Sequence, residues 1–164
     1  MKLNIHNHFQ DLGENFSKRS LPSPLKNQKI TTYSADVLKL LNLDEKILEN
    51  KNFLAAISGE ITDERFSYRA QTYGGHQFGH FVDLLGDGRA LLLAQIKNSK
   101  NQSWDLTLKG CGITPFSRPH VQNADGKSVL RSAIREFLAS EALHHLGIPT
   151  TRALCLITSD EKAQ

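Results

Sequence analysis

Two stretches decide the fold of this chain: WDLTLK at residues 104–109 and SVLRSAIREFLASEALHHL at residues 128–146. In the first, apolar and polar side chains alternate strictly, which is typical of a strand with one buried face. In the second, apolar residues recur at the period of a helix, about 3.6 residues, and Gly147 followed by Pro149 ends it. The sequence therefore predicts a strand that leads through a loop into a long helix.

Further strands are predicted on both sides of this pair. Residues 77–85 are expected to form one strand, residues 86–89 a tight connection, and residues 90–96 a strand buried on both faces. Residues 151–157 form a last strand after the helix. Because the apolar period changes from about 2 to about 3.6 along this half, we expect a small twisted antiparallel sheet over residues 76–157, with the helix packed against it.

The N-terminal part has a different character. Residues 1–32 carry prolines among scattered polar residues and predict an extended, irregular arm. Ser34 is a candidate N-cap for a first helix, and Asp44 opens a second helix that Gly59 can stop. A third helical turn is expected over residues 63–71.

This organisation predicts an α+β fold in two parts. Residues 1–72 form an arm with a helical extension, and residues 73–164 form the sheet with its long helix. The second part has the element order of a protein-kinase small lobe: a glycine-containing hairpin, a strand with a lysine, and a helix with a glutamate. Lys109 is the strand lysine, and the helical period alone leaves the glutamate open between Glu136 and Glu141.

Each of these parts has a plainer interpretation when taken alone. A G-D-G run such as that at residues 86–88 is more often a hairpin turn, and a lysine at a strand end is usually solvated. In a kinase-like arrangement the glycines let backbone N–H groups approach phosphate. Lys109, on the polar face of its strand, would offer a compact positive charge, and a carboxylate partner would keep that ammonium charged and oriented.

Composition and charge exclude several classes of protein. The net charge is +3, and the densest basic stretch, residues 18–29, holds two prolines and no helical face; we therefore expect neither nucleic acid nor a membrane as a partner. The sequence shows no membrane-length apolar run and no signal-peptide pattern. Two distant cysteines, Cys111 and Cys155, argue against a disulfide framework or a cysteine zinc site. We expect a cytoplasmic protein.

Two other groups of residues are candidate sites. His76 and His80 are spaced as metal ligands on a helix would be, but their segment predicts a loop and a strand, and a third ligand is missing. Cys111 lies near Lys109, where a thiol can be reactive, yet a neutral filler is the better interpretation. We predict no metal site in this chain.

The residues themselves resemble those of one family. The segments that carry the resemblance are PSPL at 22–25, LLNLD at 40–44, YGGHQFG at 73–79, LGDGRA at 85–90, LKG at 108–110, TPFSR at 114–118, VLRSAIREF at 129–137 and IPTTRAL at 148–154. Taken together they are similar to the selenoprotein O family of protein adenylyltransferases, and the resemblance covers nearly the whole chain.

The resemblance implies a kinase-like fold in which ATP binds reversed relative to protein kinases, so that AMP is transferred to Ser, Thr or Tyr hydroxyls of other proteins. It also implies roles for seven residues. Those that match the family's ATP-binding positions are Gly86, Gly88, Arg89, Lys109, Asp125 and Gly126, and Glu136 matches the helix glutamate that pairs with the lysine.

The family's general base and its ligands for Mg²⁺ (or Mn²⁺) fall beyond Gln164, so no catalytic or metal-binding residue is expected in this chain. The resemblance implies that the catalytic large lobe is absent from this chain as well, and we expect the chain alone to bind ATP weakly and to transfer no AMP. An alternative remains open: a non-catalytic remnant or interaction module that keeps the fold of a kinase-like lobe.

Overall fold

A computed structural model describes residues 3–118 and 124–162 as an α+β fold with antiparallel sheets. Its strands are β1 Ser17–Arg19, β2 Lys29–Tyr33, β3 Arg69–Gln77, β4 His80–Gly86, β5 Ala90–Lys97, β6 Ser103–Lys109 and β7 Cys155–Thr158. Its helices are α1 Ala35–Leu40, α2 Lys51–Ser58 and α3 Leu130–His145, with short 3-10 helices at His8–Leu12 and Glu45–Glu49. In the described part of the chain, no helix combines the length and apolar character needed to cross a membrane.

The larger sheet has five strands in the order β1-β3-β5-β6, with β4 paired to β3, and every pair is antiparallel. A second sheet joins β2 to β7. The antiparallel sheet, the alternating strand at 104–109 and the long helix at 128–146 were all predicted, and the structure confirms them.

The 86–89 segment does not close a hairpin, contrary to the interpretation as a tight turn. The hairpin turn is Phe78-Gly79, where φ is 52° and 80°, as a two-residue turn between twisted strands requires. Both β4 and β5 then run antiparallel to β3, with Thr72 opposite Gly86 and Arg69 opposite Leu92. β4 and β5 therefore lie one after the other along β3, and residues 86–89 connect them. These four residues are named here the 86–89 link.

The core lies between β5 and the N-terminal helices. Four consecutive β5 residues, 91–94, are at most 1 % exposed, which confirms the prediction of a strand buried on both faces. Phe53 and Ile57 of α2 belong to the same core cluster as Leu91, Leu93 and Ala94. In contrast, α3 has no buried residue, and Leu130 and Leu138 of its apolar stripe are more than half exposed. The helix instead lies against β7, which belongs to the second sheet, so the main packing of this helix is not against the larger sheet as predicted.

Residues 3–32 are more ordered than expected. They contain β1, which pairs with β3, and most of β2, which pairs with β7. The helical turn expected at 63–71 is also wrong, because Arg69 already begins β3. The phenol of buried Tyr68 instead accepts a hydrogen bond from the Asp63 N–H at 2.8 Å.

The predicted start of the first helix and the predicted stop at Gly59 are correct. The single helix expected from Asp44 to Gly59 is instead two elements, because Asp44 caps the 3-10 helix Glu45–Glu49 and Asn50 caps α2. The Ser34 hydroxyl accepts from the Val37 N–H at the start of α1, and Gly59 ends α2 in the left-handed conformation with φ 81°. The division of the chain between residues 72 and 73 stays a prediction. β3 runs across this boundary.

Candidate functional site

An ion pair joins the end of β6 to the second turn of α3. The Nζ atom of Lys109 lies 2.6 Å from a carboxylate oxygen of Glu136, and the Arg89 guanidinium lies 3.9 Å from the other oxygen. The three side chains are 45–50 % exposed, so the cluster is open to solvent. The structure thus brings together three of the residues predicted for the site.

Alternation along β6 explains why Lys109 can reach the helix. Its odd-numbered residues are exposed and its even-numbered ones half-buried, so Lys109 leaves the strand on the face opposite Trp104. The last pair in the β5–β6 ladder is Ala90 with Lys109. Arg89 precedes that pair directly, which places its side chain beside the lysine.

The second candidate glutamate, Glu141, has a different partner. Its carboxylate accepts from the Arg152 guanidinium at 2.7 and 2.9 Å and from the Ser34 hydroxyl at 2.9 Å. The hydrogen bonds from Arg152 lower the pKa of Glu141 to about 2. Because residues five apart on a helix differ by about 140° in direction, Glu136 and Glu141 hold α3 from two sides.

The 86–89 link is tied to its surroundings on both sides. The Asp87 N–H donates to the Gln71 carbonyl at 2.9 Å, and the Arg89 carbonyl accepts from the Gly110 N–H at 2.8 Å. Burial raises the pKa of the Asp87 carboxyl, although a hydrogen bond from the Gln71 N–H and the nearby charge of Lys109 act in the opposite direction. The link is therefore held next to the segment that follows Lys109.

A turn at residues 114–117, named here the 114–117 turn, covers the link. The Thr114 hydroxyl donates to the Asp87 carbonyl and the Ser117 hydroxyl donates to the Gly88 carbonyl, both at 2.5 Å. A Cβ atom on Gly86 would overlap the ring of Phe116. The roles of Thr114 and Ser117 were not predicted, since local sequence carries no signal for a partner 27 to 29 residues away.

Asp125 and Gly126 lie beside the backbone that follows Lys109. The Gly112 N–H donates to the Gly126 carbonyl at 3.1 Å, and Gly126 has φ 72° with no room for a Cβ atom against Gly112. The Asp125 carboxylate accepts from the Lys127 N–H at 2.9 Å. Asp125 and Gly126 thus lie next to the site through their backbone. Their contact with a nucleotide stays a prediction.

Within residues 3–118 and 124–162, no three His, Cys, Asp or Glu side chains form a group that could hold a metal ion. His76 and His80 lie on the two strands of the β3–β4 hairpin, where the His76 ring contacts Phe81 edge-on at 5.2 Å. Cys111 is a free, buried thiol whose pKa burial raises to about 11, so it is a neutral group at ordinary pH.

The chain matches a family model and many curated proteins. The model, described as protein adenylyltransferase SelO, matches residues 1–164. A protein nucleotidyltransferase YdiU of Pseudomonas fluorescens (strain Pf-5) is 48 % identical over 159 residues, covering 97 % of this chain and 32 % of that protein. The protein of the same name from Pseudomonas putida (strain GB-1) is 49 % identical over 158 residues, with 96 % and 32 % covered. That from Hydrogenovibrio crunogenus is 48 % identical over 161 residues, with 95 % and 32 % covered. The chain spans about a third of the length of these relatives.

Proposed function

Because the chain belongs to the protein adenylyltransferase SelO family, we propose that it is the N-terminal nucleotide-binding portion of an enzyme that transfers AMP from ATP to Ser, Thr or Tyr hydroxyls of proteins. The observation that carries the proposal is the convergence of Lys109 and Arg89 on Glu136 beside the glycine-containing link. Relatives named protein nucleotidyltransferase support the general reaction, the transfer of a nucleotidyl group.

The proposed role of the cationic pair is to hold the phosphates of ATP. Transfer of phosphoryl and nucleotidyl groups depends on positioning and on the neutralisation of phosphate charge. The Glu136 carboxylate keeps the Lys109 ammonium oriented, and the half-exposed lysine and Arg89 remain accessible to a ligand. Gly86, Gly88, Asp125 and Gly126 complete the proposed nucleotide contacts through their backbone.

A magnesium or manganese ion would neutralise the phosphates further, but the residues described here do not supply its site. Glu136 pairs with two cations, the Asp87 carboxylate accepts from the Gln71 N–H, and the Asp125 carboxylate accepts from the Lys127 N–H. Within residues 3–118 and 124–162 no three His, Cys, Asp or Glu side chains converge on one point. In our proposal the metal ligands and the general base belong to the part of the longer relatives that this chain does not match. The 164 residues alone would then bind ATP weakly and would not transfer AMP.

The proposal extends to organisation and location. Residues 73–164 would form the kinase-like small lobe, residues 1–72 an extension of it, and proteins would be the acceptors. Both cysteines are free thiols, Cys111 buried and Cys155 half-buried, as is usual in a reducing compartment. We therefore place the protein in the cytoplasm.

The test compares Lys109→Met with the exposed control Lys100→Met, using labelled ATP with Mg²⁺ or Mn²⁺. In a full-length member of the family, loss of the corresponding lysine should abolish AMP transfer. In this chain, Lys109→Met should weaken ATP binding about tenfold, as expected when one charge-assisted contact is lost, while Lys100→Met leaves it unchanged. Equal ATP affinity in both variants would contradict the proposed role of Lys109.

A non-catalytic interaction module is the second candidate, and the exposed apolar stripe of α3 favours it. Leu130 and Leu138 are 51 % and 63 % exposed, which is unusual for large apolar side chains on a folded helix. The two functions differ in their need for nucleotide. A folded chain that binds no ATP at millimolar concentration, with or without a divalent cation, would favour the module over the enzyme.

A further inference from the structure

Two hydroxyl groups fix the orientation of two successive peptide groups in the 86–89 link. Thr114 Oγ1 donates to the Asp87 carbonyl, and Ser117 Oγ donates to the Gly88 carbonyl, at 2.5 Å each. The same hydroxyls accept from backbone N–H groups within the 114–117 turn, Thr114 Oγ1 from Phe116 and Ser117 Oγ from Thr114. Because both hydroxyls have a donor as well as an acceptor, their direction is determined.

The direction of the carbonyls determines that of the next N–H groups. In a trans peptide the C=O of one residue and the N–H of the following residue point in opposite directions, and the described chain has no cis peptide bond. The Gly88 and Arg89 N–H groups therefore both point away from the 114–117 turn. Neither donates to an acceptor within the described residues.

Two neighbouring N–H groups that point to one side form a concave site for an anion. The Arg89 side chain extends from this same link towards Glu136 and Lys109, so cationic groups stand close to the two N–H groups. The chemistry of the combined site, two amide donors with an ammonium and a guanidinium nearby, suits a phosphate group.

The glycines of the link are explained by the turn that covers it. A Cβ atom on Gly86 would overlap the Phe116 ring, and one on Gly88 would lie 3.0 Å from the Phe116 carbonyl oxygen. Lys18 lies over the Phe116 ring at 5.7 Å from its centroid. Glycine at 86 is therefore needed for the 114–117 turn to come close enough for its two hydrogen bonds, and a side chain at 88 would meet that turn in a tight contact.

We propose that Thr114 and Ser117 are positioning residues, which turn the Asp87 and Gly88 carbonyls away and so present the Gly88 and Arg89 N–H groups to a phosphate of the nucleotide. This inference rests on the proposed nucleotide-binding function. It assigns to the 114–117 turn a part in phosphate binding although neither hydroxyl contacts the phosphate.

The experiment follows amide resonances of the ¹⁵N-labelled chain while tripolyphosphate or ATP is added. In the unsubstituted chain the Gly88 and Arg89 amide signals should move. Thr114→Val and Ser117→Ala each remove one hydroxyl at nearly constant volume, and each should weaken binding about five- to tenfold, the effect of one lost hydrogen bond. Thr114→Ser and Ser117→Thr keep the hydroxyl and should retain the affinity.

The outcomes separate this inference from the proposed function. Signals that move at Lys109 and Glu136 but not at Gly88 and Arg89 would overturn the positioning role and leave the nucleotide site intact. Unchanged affinity in Thr114→Val and Ser117→Ala would also overturn the positioning role and leave the nucleotide site intact. No movement anywhere would overturn both. Since Thr114 is buried, spectral dispersion of each variant is checked first, and Ser117→Ala carries the test if Thr114→Val unfolds.

Discussion

Replacement of Glu141 by glutamine tests how strongly α3 is held in place. The Glu141 carboxylate receives two hydrogen bonds from Arg152 and one from Ser34, and these side chains connect α3 to the N-terminus of α1 and to the segment before β7. Since no α3 residue is buried, apolar packing contributes little to the position of this helix. We expect the polar contacts of Glu141 to contribute much of it.

The magnitude follows from the pKa of the carboxyl group. It falls from its usual 4.5 to about 2 in the folded chain, and one pKa unit corresponds to about 1.4 kcal/mol. The ionised carboxylate thus stabilises the fold by about 3 kcal/mol. Solvent screening is small here because the Glu141 and Arg152 side chains are only 16 % and 8 % exposed.

The pH dependence has a defined sign. Because the folded state lowers the pKa of Glu141, its contribution is complete above about pH 5 and is lost as the pH falls towards 2. Glutamine resembles the protonated acid in shape and charge. Glu141→Gln should therefore lower the free energy of unfolding by about 3 kcal/mol at pH 7, and the difference from the unsubstituted chain should nearly vanish at pH 2.

The assay is urea unfolding of both chains between pH 2 and pH 7, followed by circular dichroism. With a urea slope of roughly 1.5 to 3 kcal/mol per molar, the midpoint at pH 7 should fall by about 1 to 2 M. Glu60→Gln, at an exposed position, is the control and should not change the midpoint. A difference for Glu141→Gln that stays constant from pH 2 to pH 7 would refute the reasoning, because the lost stability would not depend on the charge.

Three further outcomes are expected. Gly86→Ala should destabilise the chain by about 1–3 kcal/mol, seen as a lower melting temperature, because the new methyl group overlaps the Phe116 ring. Gly126→Ala should cost at least as much, because its φ of 72° is combined with overlap on the Gly112 backbone. The Cys111 thiol, with its pKa raised to about 11, should react with a thiol reagent at pH 8 far more slowly in the folded chain than in urea.

Controls for the glycine variants come from the same chain. Gly75→Ala meets only an ordinary contact at 3.7 Å, and Gly13→Ala keeps a positive φ with nothing within 4 Å. If Gly75→Ala is as harmful as Gly86→Ala, contact with Phe116 is not the cause. If Gly13→Ala destabilises the chain as much as Gly126→Ala does, the positive φ alone explains the loss of stability, and steric overlap is not its cause. Equal Cys111 reactivity in the folded and unfolded chains would contradict its burial.

Elements with strong local patterns were predictable from the sequence. The alternation at 104–109 fixed both the strand and the side to which Lys109 points, since side chains alternate between the two faces of a strand. The apolar run of β5 was correctly expected to be buried on both faces. The pairing of Lys109 with Glu136 followed from the element order together with the family resemblance, whereas the helical period alone did not distinguish Glu136 from Glu141.

Elements stabilised by distant partners were not predictable. β1 is three residues, Ser17–Arg19, with no apolar period, and only its pairing with β3 makes it a strand. The 86–89 link has the local composition of a hairpin turn. Its actual geometry depends on β3 and on the 114–117 turn, which lie elsewhere in the sequence.

The pairing of β2 with β7 has a consequence for synthesis on the ribosome. The hydroxyls of Thr31 and Thr158 meet at 2.6 Å although they are 127 positions apart. At a translation rate of about 5 to 20 residues per second, roughly 6 to 25 seconds pass between the synthesis of β2 and that of its partner strand β7. Its side chains suit that delay, because Lys29, Thr31 and Thr32 are polar and exposed, and polar edge strands resist pairing with other nascent chains.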